Sequence, residues 1–376
     1  MQLTRLELLH FRNHSDTALE FGRRINLLVG DNGAGKTNVL EGISYLSLTK
    51  SFYALTDAVT LQSGAEAFQI GGTLSDDAGR EHTVRVVYDG ASKHKSVLIN
   101  GHRPESLGEV IGRFPVVILS PEKGAVTFGP PAERRKFIDL ILCQLSRAYF
   151  RDLLEYRRVL RQRNTLLAGS RSGGAVRDDD FAAWTGALAG LGARLVVNRF
   201  RFAGEFLDYV RRTYALLVDG GEVPGLRYEP PADCTPGADE KETTAAIAGA
   251  LERRRAEEFR RGLTLVGPHR DELRLTLNDA PVQQHASQGQ HKTLLVALKV
   301  AEFLYLRERV NETPVFLLDD LFSELDRQRS RRILDLIPGL GQTMITSTGL
   351  EVLGDLMQRD EENRVFEVRG GTVRAA

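Results

Sequence analysis

The sequence predicts an α/β head assembled from both ends of the chain, with a mainly helical lobe inserted between them. Three observations carry that reading. Gly30–Thr37, GDNGAGKT, fits the phosphate-binding pattern G-x-x-x-x-G-K-[ST] without a gap and follows the apolar run RRINLLV. Val315–Asp320, VFLLDD, is a buried-strand run that ends in two acids. Between them, from about Pro130 to Gly262, long stretches with helical spacing replace the strand texture.

Taken in order, residues 1–120 read mostly as strands. MQLTRLELLHF and RRINLLVG come first, and NVLEGISYLSL supplies the helix expected after the loop. FQIGGTL, HTVRVVYDG and SVLING follow as short strands, with Asp76-Asp77-Ala78-Gly79 and Asp89-Gly90 as hairpin turns. PVVILSPE is a buried strand. From Pro130 to Gly169 the pattern is one long helical stretch, with Pro131 suited to a first turn and Gly169 to a stop. A Gly/Ser loop leads to a second helix over Phe181–Leu217, so the pair reads as a helical hairpin or short arm. Asp219–Thr243 is irregular, with room for one strand, and Ala245–Gly262 is a third helix. Strand texture returns at Leu263–Val282, with a turn at Asn278-Asp279, and Ser287–Val310 is a long helix. TMITSTG and RVFEVRGGTVRA close the sheet. The expected division is residues 1–122 for the first part of the head, 123–262 for the helical insert and 263–376 for the second part.

The bulk numbers narrow the class of partner. The 376 residues carry 50 basic and 50 acidic side chains, so no global field draws in nucleic acid, and such a role needs a local patch. Cys143 and Cys234 make no disulfide framework, which fits a reducing interior. The opening residues do not read as a signal peptide, and no run reaches the roughly 18 apolar residues of a membrane span. A cytoplasmic location is expected.

The loop motif carries specific chemistry. Gly30, Asp31, Asn32, Gly33, Ala34 and Gly35 turn backbone N–H groups onto phosphate oxygens, and the helix that follows adds its N-terminal dipole. Lys36 reaches the β- and γ-phosphates of ATP, Thr37 offers a hydroxyl to Mg²⁺, and Asn38 completes the binding segment. Asp319 is expected to hold Mg²⁺ through water and Asp320 to orient or deprotonate the attacking water, so Lys36 and Asp320 are the expected catalytic pair. Alone, VFLLDD could equally be a strand ending at a solvated acidic turn. A third segment, Ser287-Gln288-Gly289-Gln290, opens a long helix. Ser287 as an N-cap explains the serine but not Gly289, which weakens a first turn. The alternative is a second anion site of free N–H groups and a hydroxyl.

Phosphate loop, SQGQ and VFLLDD followed by SELD (Ser323–Asp326), in that order, resemble the ATP-binding-cassette (ABC) ATPase superfamily. In that superfamily the serine-led motif completes the ATP site of a second copy, which puts Ser287, Gln288, Gly289 and Gln290 on the partner's nucleotide in an ATP-dependent homodimer. Lys36 and Asp319 lie 283 residues apart (319 − 36). That is too far for a compact transporter cassette and too close for a full chromosome-maintenance coiled coil. FRNHSDTALEFGRRINLLVGDNGAGKTNVL resembles the SMC-like branch, and implies that Arg12 and Asn13 lie close to the nucleotide. LSPE, ERRKFID, LLEYRRVLRQRN and VGPHRDEL narrow the resemblance to the RecF family of bacterial recombination proteins, over essentially the whole chain. The resemblance implies an ABC/SMC-type head and a weak, DNA-dependent ATPase. It further implies a dimer that binds DNA and helps RecR and RecO load RecA at single-strand gaps. Against the wider superfamily, Asp320 stands where glutamate is usual. Thr346, Ser347 and Thr348 replace the switch histidine, and the metal-contacting glutamine has no clear counterpart, with Gln62 and Gln69 lacking context.

From Glu133 to Arg163 there are nine basic and four acidic residues, a net charge of +5 (9 − 4) in a neutral chain. Arg134, Arg135, Lys136, Arg157, Arg158 and Arg161 are the DNA-contact candidates, with a solvated helix face as the plain alternative. Arg194, Arg199 and Arg201 are weaker candidates; Arg270 in VGPHRDEL is added because of its motif.

Overall fold

The computed structural model describes residues 1–54, 56–120, 124–171, 177–230, 232–322, 327–349 and 362–376. In chain order its strands are β1 (Gln2–Phe11), β2 (His14–Glu20), β3 (Ile25–Val29), β4 (Ala67–Ser75), β5 (Glu81–Asp89), β6 (His94–Ile99), β7 (Val116–Leu119), β8 (Pro224–Glu229), β9 (Glu272–Leu277), β10 (Ala280–Pro281), β11 (Val315–Leu318), β12 (Thr343–Ser347), β13 (Arg364–Arg369) and β14 (Thr372–Ala375). The helices are α1 (Lys36–Leu48), α2 (Ala125–Phe128), α3 (Pro131–Leu145), α4 (Arg147–Arg171), α5 (Asp178–Leu217), α6 (Glu240–Arg261), α7 (Val282–His285), α8 (Gln288–Val310) and α9 (Arg327–Leu336).

The chain divides into two compact units. The first holds residues 1–124, 213–219 and 288–376, so it is built from segments far apart in sequence. It contains an antiparallel sheet in the order β2-β1-β4-β5-β6 and a mainly parallel sheet in the order β14-β13-β3-β12-β11-β7. The parallel sheet has the continuous apolar runs that burial on both faces demands: Leu27, Leu28, Val315, Phe316, Leu317, Leu318, Met344 and Ile345 are all buried. Helix α1 packs between strands of both sheets, and Val39, Leu40, Ile43 and Leu46 disappear into that contact. Gly72 on β4 is required there, because a Cβ would collide with Leu46 of α1.

The second unit holds residues 125–212 and 220–287. Here α4 and α5 run antiparallel: Arg194 pairs with Asp152 at 2.9 Å, and Arg163 donates to Thr185 at 3.0 Å. The single helical stretch expected before Gly169 is two helices. Ser146 sits in an extended conformation between them, and its hydroxyl accepts the backbone N–H of Tyr149 at 3.1 Å, starting α4. Asp239 and Glu242 form a capping box on α6, which ends at Gly262 in the left-handed region. The division expected after residue 262 falls at Ser287 instead. Strand β9 pairs along its length with β8, so the 263–287 segment belongs to the helical unit.

Buried charge knits this second unit together. The Arg199 guanidinium, 2% exposed, contacts both Asp139 (2.7 Å) and Asp271, and also donates to the Pro268 carbonyl. Tyr149 and Tyr228 donate to the same two carboxylates. Arg163, also buried, pairs with Glu258 at 2.6 Å. Removing one partner of such a network strands a charge away from water, so these arginines are structural.

Candidate functional site at the strand ends

Strands β3, β12 and β11 are adjacent and parallel, with β12 in the middle. Their carboxyl ends therefore deliver three loops to one place, where ligands gather on open α/β sheets. From β3 comes Gly30–Gly35, running into α1. Gly35 has φ 115°, and a Cβ there would stand 2.7 Å from Asn13 Oδ1, so only glycine fits. From β11 comes Asp319, 4% exposed, and then Asp320. From β12 comes Thr346, 1% exposed.

These side chains touch. Thr37 donates to Asp319 at 2.9 and 3.1 Å. Thr346 donates to Asp319 Oδ1 at 2.7 Å and accepts the Asp320 backbone N–H at 2.9 Å. Lys36 turns its ammonium onto the loop's own carbonyls, Gly30 at 2.6 Å and Asp31 at 2.9 Å. Burial lowers the Lys36 pKa from its ordinary value, opposed by Asp320, Asp319 and Asp31. The donors beside the loop are all oxygens, which suits a hard cation such as Mg²⁺. Among the described residues no cluster of three or more His, Cys, Asp or Glu forms a protein cage, and Mg²⁺ characteristically takes one or two protein oxygens with the rest from phosphate and water. Thr37 and Asp319 are the residues that would hold it.

The FRN segment braces the loop from behind. Asn13 donates to the Ala34 carbonyl at 3.0 Å and accepts from Asn38 at 2.8 Å. The buried His14 ring reaches the Gly35 carbonyl at 3.1 Å, and desolvation lowers its pKa. The Gly371 backbone N–H donates to the Ala34 carbonyl at 2.9 Å. Arg12 takes a different job: its guanidinium grips buried Glu41 of α1 with bonds of 2.7 and 2.8 Å, which raises its pKa. His14, Glu41 and Gly371 escaped sequence reasoning. Only the proximity of His14 to the FRN element could have flagged one of them.

Ser287 and Gln288 are exposed where α8 begins, and Gly289 and Gln290 are half-buried in its first turn. Gly289 lies against the Arg329 side chain, whose guanidinium end is 2.5 Å from where a Cβ would stand and would have to move aside for one. Ser323–Asp326 fall outside the described residues. Gln62 donates to Ser15 on the antiparallel sheet, and Gln69 lies on β4.

The basic segment divides. Arg134 is 3% exposed, bidentate to Glu272 at 2.6 and 2.7 Å, and is withdrawn as a DNA contact because its charge is already matched inside the fold. Arg135 is half-buried and donates to the Asp271 carbonyl. Arg199 is excluded by its burial. Lys136, Arg157, Arg158 and Arg161 on α3 and α4 are exposed, as are Arg201 and Arg270; Arg194 is tied to Asp152.

A phosphate loop, an acid-tipped strand of the parallel sheet and a helix-rich insertion define an SMC-type ATP-binding-cassette ATPase head. Solved Smc heads share the fold: one, bound to the C-winged helix domain of ScpA, superposes with TM-score 0.56 at 14% identity, across 100% of this chain and 97% of that one. The profile described as RecF/RecN/SMC N terminal domain matches residues 2–373. The chain belongs to the RecF family. It is 40% identical to the DNA replication and repair protein RecF of Chloroherpeton thalassium over 95% of this chain and 98% of that protein. It is 39% identical to RecF of Salinibacter ruber over 100% and 92%. A solved structure of the recombination mediator protein RecF of the RecFOR pathway, with ATPrS, superposes with TM-score 0.90 at 29% identity over 100% of this chain and 98% of that one.

Proposed function

We propose that this chain is an ATP-gated DNA-binding protein of recombinational repair and replication restart. ATP with Mg²⁺ binds at residues 30–38 with Thr37 and Asp319 on the metal, and Ser287–Gln290 of a second copy close the pocket. The ATP-driven homodimer then grips duplex DNA near a single-strand gap. Slow, DNA-dependent hydrolysis to ADP and phosphate releases it. RecR, with RecO, is the partner through which RecA is loaded, and the protein works in the cytoplasm. Among the described residues no helix is long and apolar enough to cross a membrane.

The observation that carries this reading is the meeting of Thr37, Asp319 and Thr346 beside the phosphate loop. The likeness to RecF proteins of repair and to a RecF structure holding ATP supports it. When bound, Mg²⁺ supplies charge neutralisation for the phosphates. The chain's own groups do the rest. Loop N–H groups and Lys36 hold and orient the phosphates, and Asp320 holds the water that attacks. Asp320 is one methylene shorter than the more usual glutamate, so water is held less closely and turnover is slow.

Sedimentation with ATP, ADP or no nucleotide, each with and without gapped duplex, tests the proposal. Dimers with ATP alone, retained on DNA, are expected; a monomer under every condition overturns it. Turnover in the same samples should stay below about 10 s⁻¹, an ordinary enzyme rate.

A further inference from the structure

Thr346 occupies the central strand of the three that meet at the site, between the loop that follows β3 and the acids that follow β11. Its hydroxyl has one proton and spare lone pairs. A carboxylate only accepts, so the proton goes to Asp319 Oδ1 at 2.7 Å, and the oxygen is left to accept the Asp320 N–H at 2.9 Å. Both partners are thereby fixed in polarity as well as place. The Asp320 backbone has φ 44°, in the left-handed region that non-glycine residues adopt uncommonly, aspartate and asparagine more readily than most, so a partner for its N–H helps to hold it there. Backbone held in that region at a site persists only where its surroundings determine it. Asp319 is held from the other side by Thr37 of α1, so one relay runs from Thr37 through Asp319 and Thr346 to the Asp320 backbone.

We propose that Thr346 is a positioning residue for ATP hydrolysis: it sets the direction of Asp320 and ties it to Asp319, the carboxylate that would hold the metal. The inference rests on the ATPase reading above. It assigns to a threonine hydroxyl, acting through Asp320, the task of keeping the water-holding carboxylate aimed when the site is loaded. Burial leaves Thr346 little room to act otherwise, since it is 1% exposed on the strand.

Thr346→Val keeps the branched shape and removes the hydroxyl, and Thr346→Ser restores the hydroxyl alone. Hydrogen exchange of nucleotide-free protein, read on peptides spanning Leu318–Leu321, should quicken about tenfold in Thr346→Val and return near wild type in Thr346→Ser. With ATP and Mg²⁺, kcat should fall at least about tenfold in Thr346→Val, recover to within about threefold in Thr346→Ser, and leave ATP affinity in EDTA within about twofold. Unchanged exchange in Thr346→Val overturns the proposal. So does a serine variant as impaired as the valine one, which would make the methyl group the active part. So does a loss of metal-free ATP affinity equal to the loss in kcat, which would make Thr346 a binding residue. A wild-type chain that fails to hydrolyse ATP while exchange responds as expected overturns the ATPase reading instead.

Discussion

At the scale of single residues, the loop lysine is the plainest case of charge and reach acting separately. Lys36 is a compact ammonium on a flexible stem, held in a partly desolvated nest of carbonyls. Lys36→Arg preserves a positive charge but spreads it over a planar fork that cannot enter the same space. ATP binding should survive with weakened affinity while hydrolysis falls by two orders of magnitude or more, by about the cost of losing an oriented charge at a transition state. Equilibrium binding of a fluorescent ATP analogue alongside phosphate release separates the two effects. Hydrolysis at the wild-type rate would remove Lys36 from the reaction. The same scale shows why Arg134 misled the sequence reading. Its partner Glu272 lies 138 residues away, and no local pattern marks an arginine whose charge is cancelled by so distant a strand.

Elements behave differently from the residues that compose them. The VGPHRDEL turn is held by His269, whose ring meets Tyr156 at 2.6 Å and the Thr264 carbonyl at 3.2 Å. Burial brings the His269 pKa down from 6.5 to about 4, so below 6.5 the unfolded chain binds a proton that the folded one refuses. The stability that His269 contributes is complete above pH 6.5 and is lost as pH falls toward 4. Urea unfolding at pH 7 and pH 5 should show a smaller loss in His269→Gln than in wild type; an equal loss in both would place the acid sensitivity elsewhere. On α4, Arg157, Arg158 and Arg161 are exposed; Arg157 reaches Asp139 at 3.2 Å and Arg158 reaches Glu155 at 3.3 Å. The Arg158–Glu155 pair is exposed and contributes little to stability, whereas Arg157 borders the buried Asp139, so a variant with Arg157→Gln, Arg158→Glu and Arg161→Glu removes the charge without setting a carboxylate beside Asp139. It should weaken duplex binding at least tenfold and flatten the salt dependence by up to about three counterions. Unchanged binding would make this helix a solvated face and nothing more.

For the whole molecule, the test is assembly. Ser287→Arg places a bulky cation at an exposed position just before α8 and leaves the hydrogen bond between Thr37 and Asp319 without a changed partner. The variant should bind ATP with near-wild-type affinity and sediment as a monomer; a normal ATP-dependent dimer would refute the shared pocket. At this scale the sequence was legible where chemistry is contiguous. GDNGAGKT and VFLLDD each announce a strand and its tip, and both lie where expected. It was less legible where partners are remote. The 263–282 texture reads as strand correctly, yet nothing within it says that β9 pairs with β8 in the helical unit. Thr346 stood in plain view in ITST, but its meaning depends on Asp319 and Asp320, more than twenty residues upstream, meeting it across two parallel strands.

The order of the parallel sheet also bears on how the molecule is made. Strand β3 emerges early, but both of its neighbours, β12 and β13, lie beyond residue 342. At ribosomal speeds of roughly 5–20 residues per second, β3 waits on the order of tens of seconds with both edges open. Leu27 and Leu28 have no sheet to enter during that interval, and bare apolar edges invite pairing with another nascent chain. The nucleotide cradle is therefore among the last features to be completed during synthesis. A ribosome that stalls inside the helical insert releases a chain that carries the GKT sequence but has no working cradle, and that is a natural substrate for chaperones.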